Sequence, residues 1–349
     1  MESMRSLYRQ WMYDWETRLT ERDTNRVVRP FEWGLEWIEG WPLVDGEWRG
    51  LAGAEAESFV HHLNRRIVSE SGRFFSYDTP RDFRLEANCL RFTSPVETPY
   101  TENNLVTARW FPASGSRAVV VLPQWNADAE SHLGLCRILN WLGISALRLS
   151  LPYHDVRKPA EIERADYAVS SNVARTIDAC RQAIADTRSC LDWLEARGYR
   201  QLGIVGTSLG SCYAFIASAH DQRLKVNVFN HASTYFADVV WTGQSTRHIR
   251  AGIERDIDLD RLRQAWLAIS PASYFDKFAA CPKKSLLVYA TYDLTFPPEL
   301  SSEIVTAFRQ RNLDHRVAVL PCGHYTSGET PFKFLDAWHI ARFLDSAFD

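Results

Sequence analysis

The stretch Leu202-Gly203-Ile204-Val205-Gly206-Thr207-Ser208-Leu209-Gly210 decides the fold. Leu202 to Val205 is an apolar run of the kind found in a strand buried on both faces. Leu209 to Ala219 reads as a helix. A chain passing from strand to helix over Gly206 to Gly210 turns so tightly that side chains two residues either side of the serine would collide. Glycine removes those collisions and tolerates the backbone angles of the turn. The turn lifts the Ser208 hydroxyl above the sheet edge. It also sets the hydroxyl at the positive end of a helix, where an anionic intermediate is favoured. The G-x-S-x-G spacing alone is weak, and its strand-turn-helix context makes it specific.

Outward from this turn, strands and helices alternate. Upstream lie the strands Leu85 to Thr93, Leu105 to Phe111, Ala118 to Leu122 and Ser145 to Leu149. Helices are expected over about 130–142 and 171–197. Val173, Ile177, Cys180, Ile184, Leu191 and Leu194 supply the apolar face of the second, and Gly198 its stop. Downstream come the strands Lys225 to Phe229, Leu286 to Ala290 and Val317 to Leu320, with helices near 298–310 and 331–346. Short connections of this kind predict an α/β fold, a mostly parallel twisted sheet with helices on both faces. The first two strands have no helix between them and should form an antiparallel edge. Between Phe229 and Leu286 the alternation stops. Residues 233–279 read as a helical lid insertion carrying Tyr235, Phe236, Trp241, Trp266, Tyr274 and Phe275.

Residues 1–83 have a different texture, and the catalytic domain is expected over 84–349. Six of the thirteen tryptophans precede residue 50. Leu7, Trp11, Trp15 and Leu19 are spaced four apart, as are Trp33, Trp37 and Trp41, which predicts amphipathic helices with aromatic stripes. This extension is expected to pack onto the main domain; a cap, a homodimer surface or a membrane-resting helix are the other options. The mixed charges Glu16, Arg18, Glu21, Arg22 and Asp23 argue against a polybasic anchor.

Composition narrows the class. The chain has 349 residues, 46% hydrophobic and 24% charged, with 40 basic against 43 acidic side chains. That balance gives no electrostatic reason to expect nucleic acid as a partner. Seven cysteines without a CxxC pair fit reduced thiols and a cytoplasmic location. No zinc spacing is present, and no cofactor or metal is expected. Neither a signal peptide nor a transmembrane segment is read in the sequence.

With this turn in this order of elements, the sequence resembles the α/β-hydrolase superfamily over about residues 85–345. The resemblance implies the chain order serine, acid, histidine. The strand Leu286 to Ala290 runs into Thr291-Tyr292-Asp293-Leu294-Thr295-Phe296-Pro297-Pro298, similar to the superfamily's acid loop. Val317 to Leu320 runs into Pro321-Cys322-Gly323-His324, similar to its base loop. Ser208, Asp293 and His324 are therefore the expected catalytic residues. The chemistry agrees. A serine hydroxyl needs a base within hydrogen-bond reach, a histidine titrates near neutrality, and a carboxylate fixes the imidazole tautomer. His231, after the strand Lys225–Phe229, and His154 with Asp155 are rivals, read as pocket lining or hydrogen-bonded support.

An oxyanion hole needs two N–H groups. The Leu209 N–H is one. By analogy with the superfamily, the loop Pro123-Gln124-Trp125-Asn126 supplies the other, from Trp125 or its neighbour Gln124, although the usual His-Gly pattern is absent. The segments Leu151-Pro152-Tyr153-His154-Asp155-Val156-Arg157-Lys158-Pro159 and Leu191–Tyr199 further resemble an α/β-hydrolase-domain family of long-unassigned role. The expected function is hydrolysis of a small-molecule carboxylic ester with an apolar acyl or aromatic group. Tyr235, Trp241 and His231 are the expected substrate contacts. A thioesterase, lipid deacylase or acyltransferase would use the same triad, and a silent ligand-binding fold is the reading from another class.

Overall fold

The structure is a computed structural model that describes residues 2–348, so positions 1 and 349 of the two expected segments lie outside the described residues. Its nine strands are β1 Arg84–Glu86, β2 Cys89–Thr93, β3 Leu105–Phe111, β4 Arg117–Leu122, β5 Ser145–Leu149, β6 Gln201–Thr207, β7 Leu224–Asn230, β8 Lys284–Ala290 and β9 His315–Leu320. They form one sheet in the order β1-β2-β3-β5-β4-β6-β7-β8-β9. From β5 across to β9 every pairing is parallel, whereas β1, β2 and β3 pair antiparallel at one edge. The chain thus has the α/β-hydrolase fold.

Alternate residues of the central strands feed two cores, as the two-residue period of a strand requires. Val120 and Leu122 join Ile204 and Phe229 beneath the helices Val173–Ala196 and Leu209–His220. Val119 and Val121 join Val205 and Val228 beneath the helices Leu133–Trp141 and Phe332–Phe348. The N-terminal segment enters both cores. Met12 of the helix Glu2–Glu21 packs into the second, and Val60, Leu63 and Ile67 of the helix Gly53–Ser69 into the first.

Three expectations need correction. Leu85 to Thr93 is a hairpin, not one strand. Ala87 and Asn88 both take positive φ, at 45° and 62°, and the Ala-Asn pair lacks the glycine that marks such turns in a sequence. The Trp33-Trp37-Trp41 stripe is not a helix but a single 3-10 turn, Leu35–Ile38. Gly34 and Gly40, at φ 69° and 77°, break the helical path on either side. The Leu7-Trp11-Trp15-Leu19 stripe does lie on a helix, but it meets the buried face only at its C-terminal end. A strict four-residue spacing overshoots the 3.6-residue turn, so the line winds round the helix. Leu7 and Trp11 are exposed, Trp15 is half-buried, and Leu19 is buried beside Met12, Glu16 and Thr20.

Candidate active site

Ser208 sits between β6 and its helix with φ 55° and ψ −118°, a strained conformation for a residue with a side chain. The crowding that motivates the two glycines is present. A Cβ on Gly206 would run into the Gly210 carbonyl, and one on Gly210 into the Leu122 and Pro123 carbonyls. The second contact presses the 123–126 loop directly against the turn.

The structure brings Ser208, His324 and Asp293 together from the ends of β6, β9 and β8. His324 Nε2 lies 3.1 Å from Ser208 Oγ, and His324 Nδ1 lies 3.0 Å from Asp293 Oδ2. The Asp293 Oδ1 accepts from the main-chain N–H groups of Thr295 and Phe296, at 2.8 and 2.6 Å. Burial alone would raise the Asp293 carboxyl. The charge of His324 and hydrogen bonds from both His231 and His324 outweigh it and hold the carboxyl well below the usual range. Burial likewise works against a charged His324, yet Asp293, helped by Glu16, holds its imidazole above the ordinary histidine value.

His231 is the second histidine on the same carboxylate. Its Nδ1 lies 2.8 Å from Asp293 Oδ2 and its Nε2 3.3 Å from Ser327 Oγ, so it both supports Asp293 and faces the cleft. Among the described residues His231, Asp293 and His324 also form a set of converging metal-ligating atoms. Both Nδ1 atoms point at Asp293 within hydrogen-bond distance, so each carries its proton there rather than a lone pair for a metal.

The N–H of Leu209 opens its helix and has no intrahelical acceptor. Gln124 and Trp125 line the cleft beside Ser208. The next N–H, of Asn126, is already given to His154 Nε2 at 3.0 Å, which leaves Trp125 and Gln124 as the candidate donors of this loop. His154, buried and pushed down to about 4 by desolvation, is a neutral ring whose Nδ1 donates to the Pro152 carbonyl. Asn126 Oδ1 and Trp125 Nε1 bond the Ala165 main chain, and Trp125 stacks on His248. The loop is therefore fixed before any substrate arrives. His154 acts as support, one of the two roles the sequence left open for it.

Two cavities reach Ser208. One is a wide cleft of about 670 Å³ between the 123–135 region, His324 and the C-terminal helix. The other is a recess of about 50 Å³ lined by Leu209, Cys212, Phe236, Val239, Val240 and Phe296. Neither is lined by Tyr235 or Trp241, the two aromatics expected there. Tyr235 lies under the Arg263 guanidinium and Trp241 under that of Arg250. Helical phase is the reason. Residues 236, 239 and 240 share the inward face of the helix Phe236–Thr242, and 241 falls beside it.

Sequence reasoning missed Glu16. It is fully buried and accepts hydrogen bonds from Tyr325 and Thr326 in the base loop. Its mixed-charge neighbours made it read as a solvated residue.

The model of the family Alpha/beta hydrolase domain containing 18 matches residues 135–286, rather less than half of the chain. That span contains Ser208 and His231 but neither Asp293 nor His324. No curated protein matches the sequence. Among solved structures, the chain is similar to acetyl xylan esterase 1 from a Thermoanaerobacterium species, at 12% identity and TM-score 0.58, over 91% of this chain and 100% of that one. An esterase of Pyrococcus furiosus is similar at 14% identity and TM-score 0.51, over 78% and 92%. The acylaminoacyl peptidase of Pyrococcus horikoshii is similar at 10% identity and TM-score 0.56, over 75% of this chain, which spans only 41% of that one. At these identities the likeness is one of fold. The chain has the α/β-hydrolase fold, and its residues 135–286 are similar to an α/β-hydrolase-domain family.

Proposed function

We propose that the chain is a serine hydrolase that cleaves a carboxylic ester through an acyl-enzyme on Ser208. The observation that carries this reading is the unbroken hydrogen-bond chain from Ser208 Oγ through His324 to Asp293, at 3.1 and 3.0 Å, at the floor of an open cleft. Ser208 Oγ attacks the ester carbonyl as its proton passes to His324 Nε2. Asp293 stabilises the imidazolium through Nδ1–H. The negative charge on the carbonyl oxygen is met by the N–H of Leu209 and that of Trp125 or Gln124. His324 then returns the proton to the departing alkoxide. Water, activated by the same histidine, releases the acid and restores Ser208.

The two cavities divide the substrate. The recess of about 50 Å³ has a mostly apolar lining and suits the acyl group. It is about a third of the ~150 Å³ that houses a benzene-sized ligand, so it favours a short acyl chain. The cleft of about 670 Å³, with His132, Lys333 and Asp336 on its walls, suits a larger, partly polar alcohol. A panel of p-nitrophenyl esters from acetyl to decanoyl tests the reading. The expected result is highest kcat/KM on the shortest chains, with all turnover lost in Ser208→Ala. Equal turnover by Ser208→Ala contradicts the nucleophile, and a preference for decanoyl contradicts the assignment of the recess.

A further inference from the structure

The helix Glu2–Glu21 lies against the loop that carries His324, and it holds that loop on both sides of the histidine. On one side Tyr8 donates its hydroxyl to the Pro321 carbonyl at 2.5 Å. On the other, Glu16 Oε1 accepts from the Tyr325 N–H at 2.7 Å, and Oε2 accepts from the Thr326 N–H at 3.0 Å and its hydroxyl at 3.1 Å. Thr326 Oγ1 in turn accepts from the Gly323 N–H at 2.6 Å, closing the loop around the carboxylate. Gly323 is bare where Glu16 approaches, and a Cβ there would run into the carboxylate. The same helix reaches the acid loop, where Tyr8 and Tyr13 each meet Tyr292 with ring centroids 5.6 Å apart.

A buried carboxylate is costly unless fully hydrogen-bonded. A solvated residue would hold the helix to the sheet at less expense, and Met12 already fills the apolar contact. We propose that Glu16 is a positioning residue for the base, a second carboxylate that fixes the His324 loop from behind while Asp293 fixes the ring. The N-terminal helix is then part of the catalytic machinery and not only a cover for the core. This rests on the reading of His324 as the base.

Two consequences separate positioning from mere packing. A loop held less firmly presents His324 Nε2 to Ser208 less often, which lowers kcat and leaves KM alone. Loss of the Glu16 charge also removes one influence that favours the imidazolium. The other titratable and charged groups facing the loop are Tyr8, Tyr292, Asp293, Cys322, Tyr325, Asp336, His231, Asp23, Arg26 and Arg164, with the Arg22–Glu329 ion pair beyond them, and none of these is altered by the substitution.

The experiment measures kcat, KM and the pH–rate profile of the full chain on p-nitrophenyl acetate, with folding checked by melting temperature. Glu16→Gln is expected to lower kcat by about 10–100-fold with KM unchanged, and to move the acid limb to lower pH. Gly323→Ala should give a comparable loss, because its methyl displaces the carboxylate. In a Glu16→Ala background that methyl has room, so Gly323→Ala should add no further loss. A folded Glu16→Gln with unchanged kcat and acid limb overturns the inference, as does full additivity of the double variant. If Glu16→Gln does not fold, Gly323→Ala decides alone, and an unchanged kcat overturns it. Ser208→Ala keeps the two claims apart. A dead Ser208→Ala beside an unaffected Glu16→Gln sinks only this inference, whereas an active Ser208→Ala sinks the hydrolase reading and this inference with it.

Discussion

Asp293 Oδ2 receives hydrogen bonds from two histidines whose rings lie 4.5 Å apart, and only one of them reaches Ser208. Their roles should therefore separate sharply on mutation. His324→Ala removes the proposed base and should cost kcat about 10⁴- to 10⁶-fold. His231→Ala leaves the Asp293–His324–Ser208 chain intact and should cost far less. Initial rates on p-nitrophenyl acetate check this, and the reverse order of losses would mean that His231 is the base. The acid limb of the pH–rate profile belongs to the same residue. A base works as neutral imidazole, and Asp293 holds the His324 imidazolium stable to higher pH than an ordinary histidine. Activity should accordingly rise with pH through an ionisation above the ordinary histidine value. Asp293→Asn should move that ionisation down and lower kcat by about 10⁴-fold. An acid limb unmoved in Asp293→Asn would contradict the coupling.

The segment 233–279 divides into two parts by what each helix faces. The helix Phe236–Thr242 turns Phe236, Val239 and Val240 toward the recess at Ser208. The helix Leu259–Ala265 and the turns after it lock onto the N-terminal segment. Arg261 pairs with Glu57, Asn64 accepts from the Ala268 N–H, and Trp266 is fully buried. Val240→Ala should widen the recess and shift preference toward longer acyl chains, on the order of tenfold for each methylene admitted. Trp241→Ala should leave that preference alone, since its ring lies outside both cavities. Trp266→Ala should lower stability by about 3–5 kcal/mol with selectivity intact, as measured by denaturant unfolding beside the ester panel. An unchanged stability would contradict the burial of Trp266, and a changed selectivity its distance from the recess.

At the scale of the whole molecule, the sheet and the order of its connections follow from short apolar runs such as Ala118–Leu122 and Leu202–Val205, whose length and alternation with helical segments mark them as buried strands. The turn after β6 was legible because Gly-x-Ser-x-Gly answers a local steric need, and the loops after β8 and β9 because the Asp-to-Pro spacing and Gly-His resemble the superfamily's acid and base loops. What a sequence pattern hides is any contact set by long-range packing. Glu16 meets Thr326 across 310 positions, and nothing in its neighbourhood distinguishes it from Glu21. Trp241 and Val240 differ only by helical phase. Among the described residues no helix is long and apolar enough to cross a membrane. If Ser208 is the activated nucleophile of this assembly, covalent capture detects it most directly. The full chain is treated with a fluorophosphonate and mapped by peptide mass spectrometry. A single phosphonyl adduct on Ser208 is expected, absent from Ser208→Ala and formed far more slowly in His324→Ala. An adduct on another residue, or a folded chain that takes no label, would contradict it.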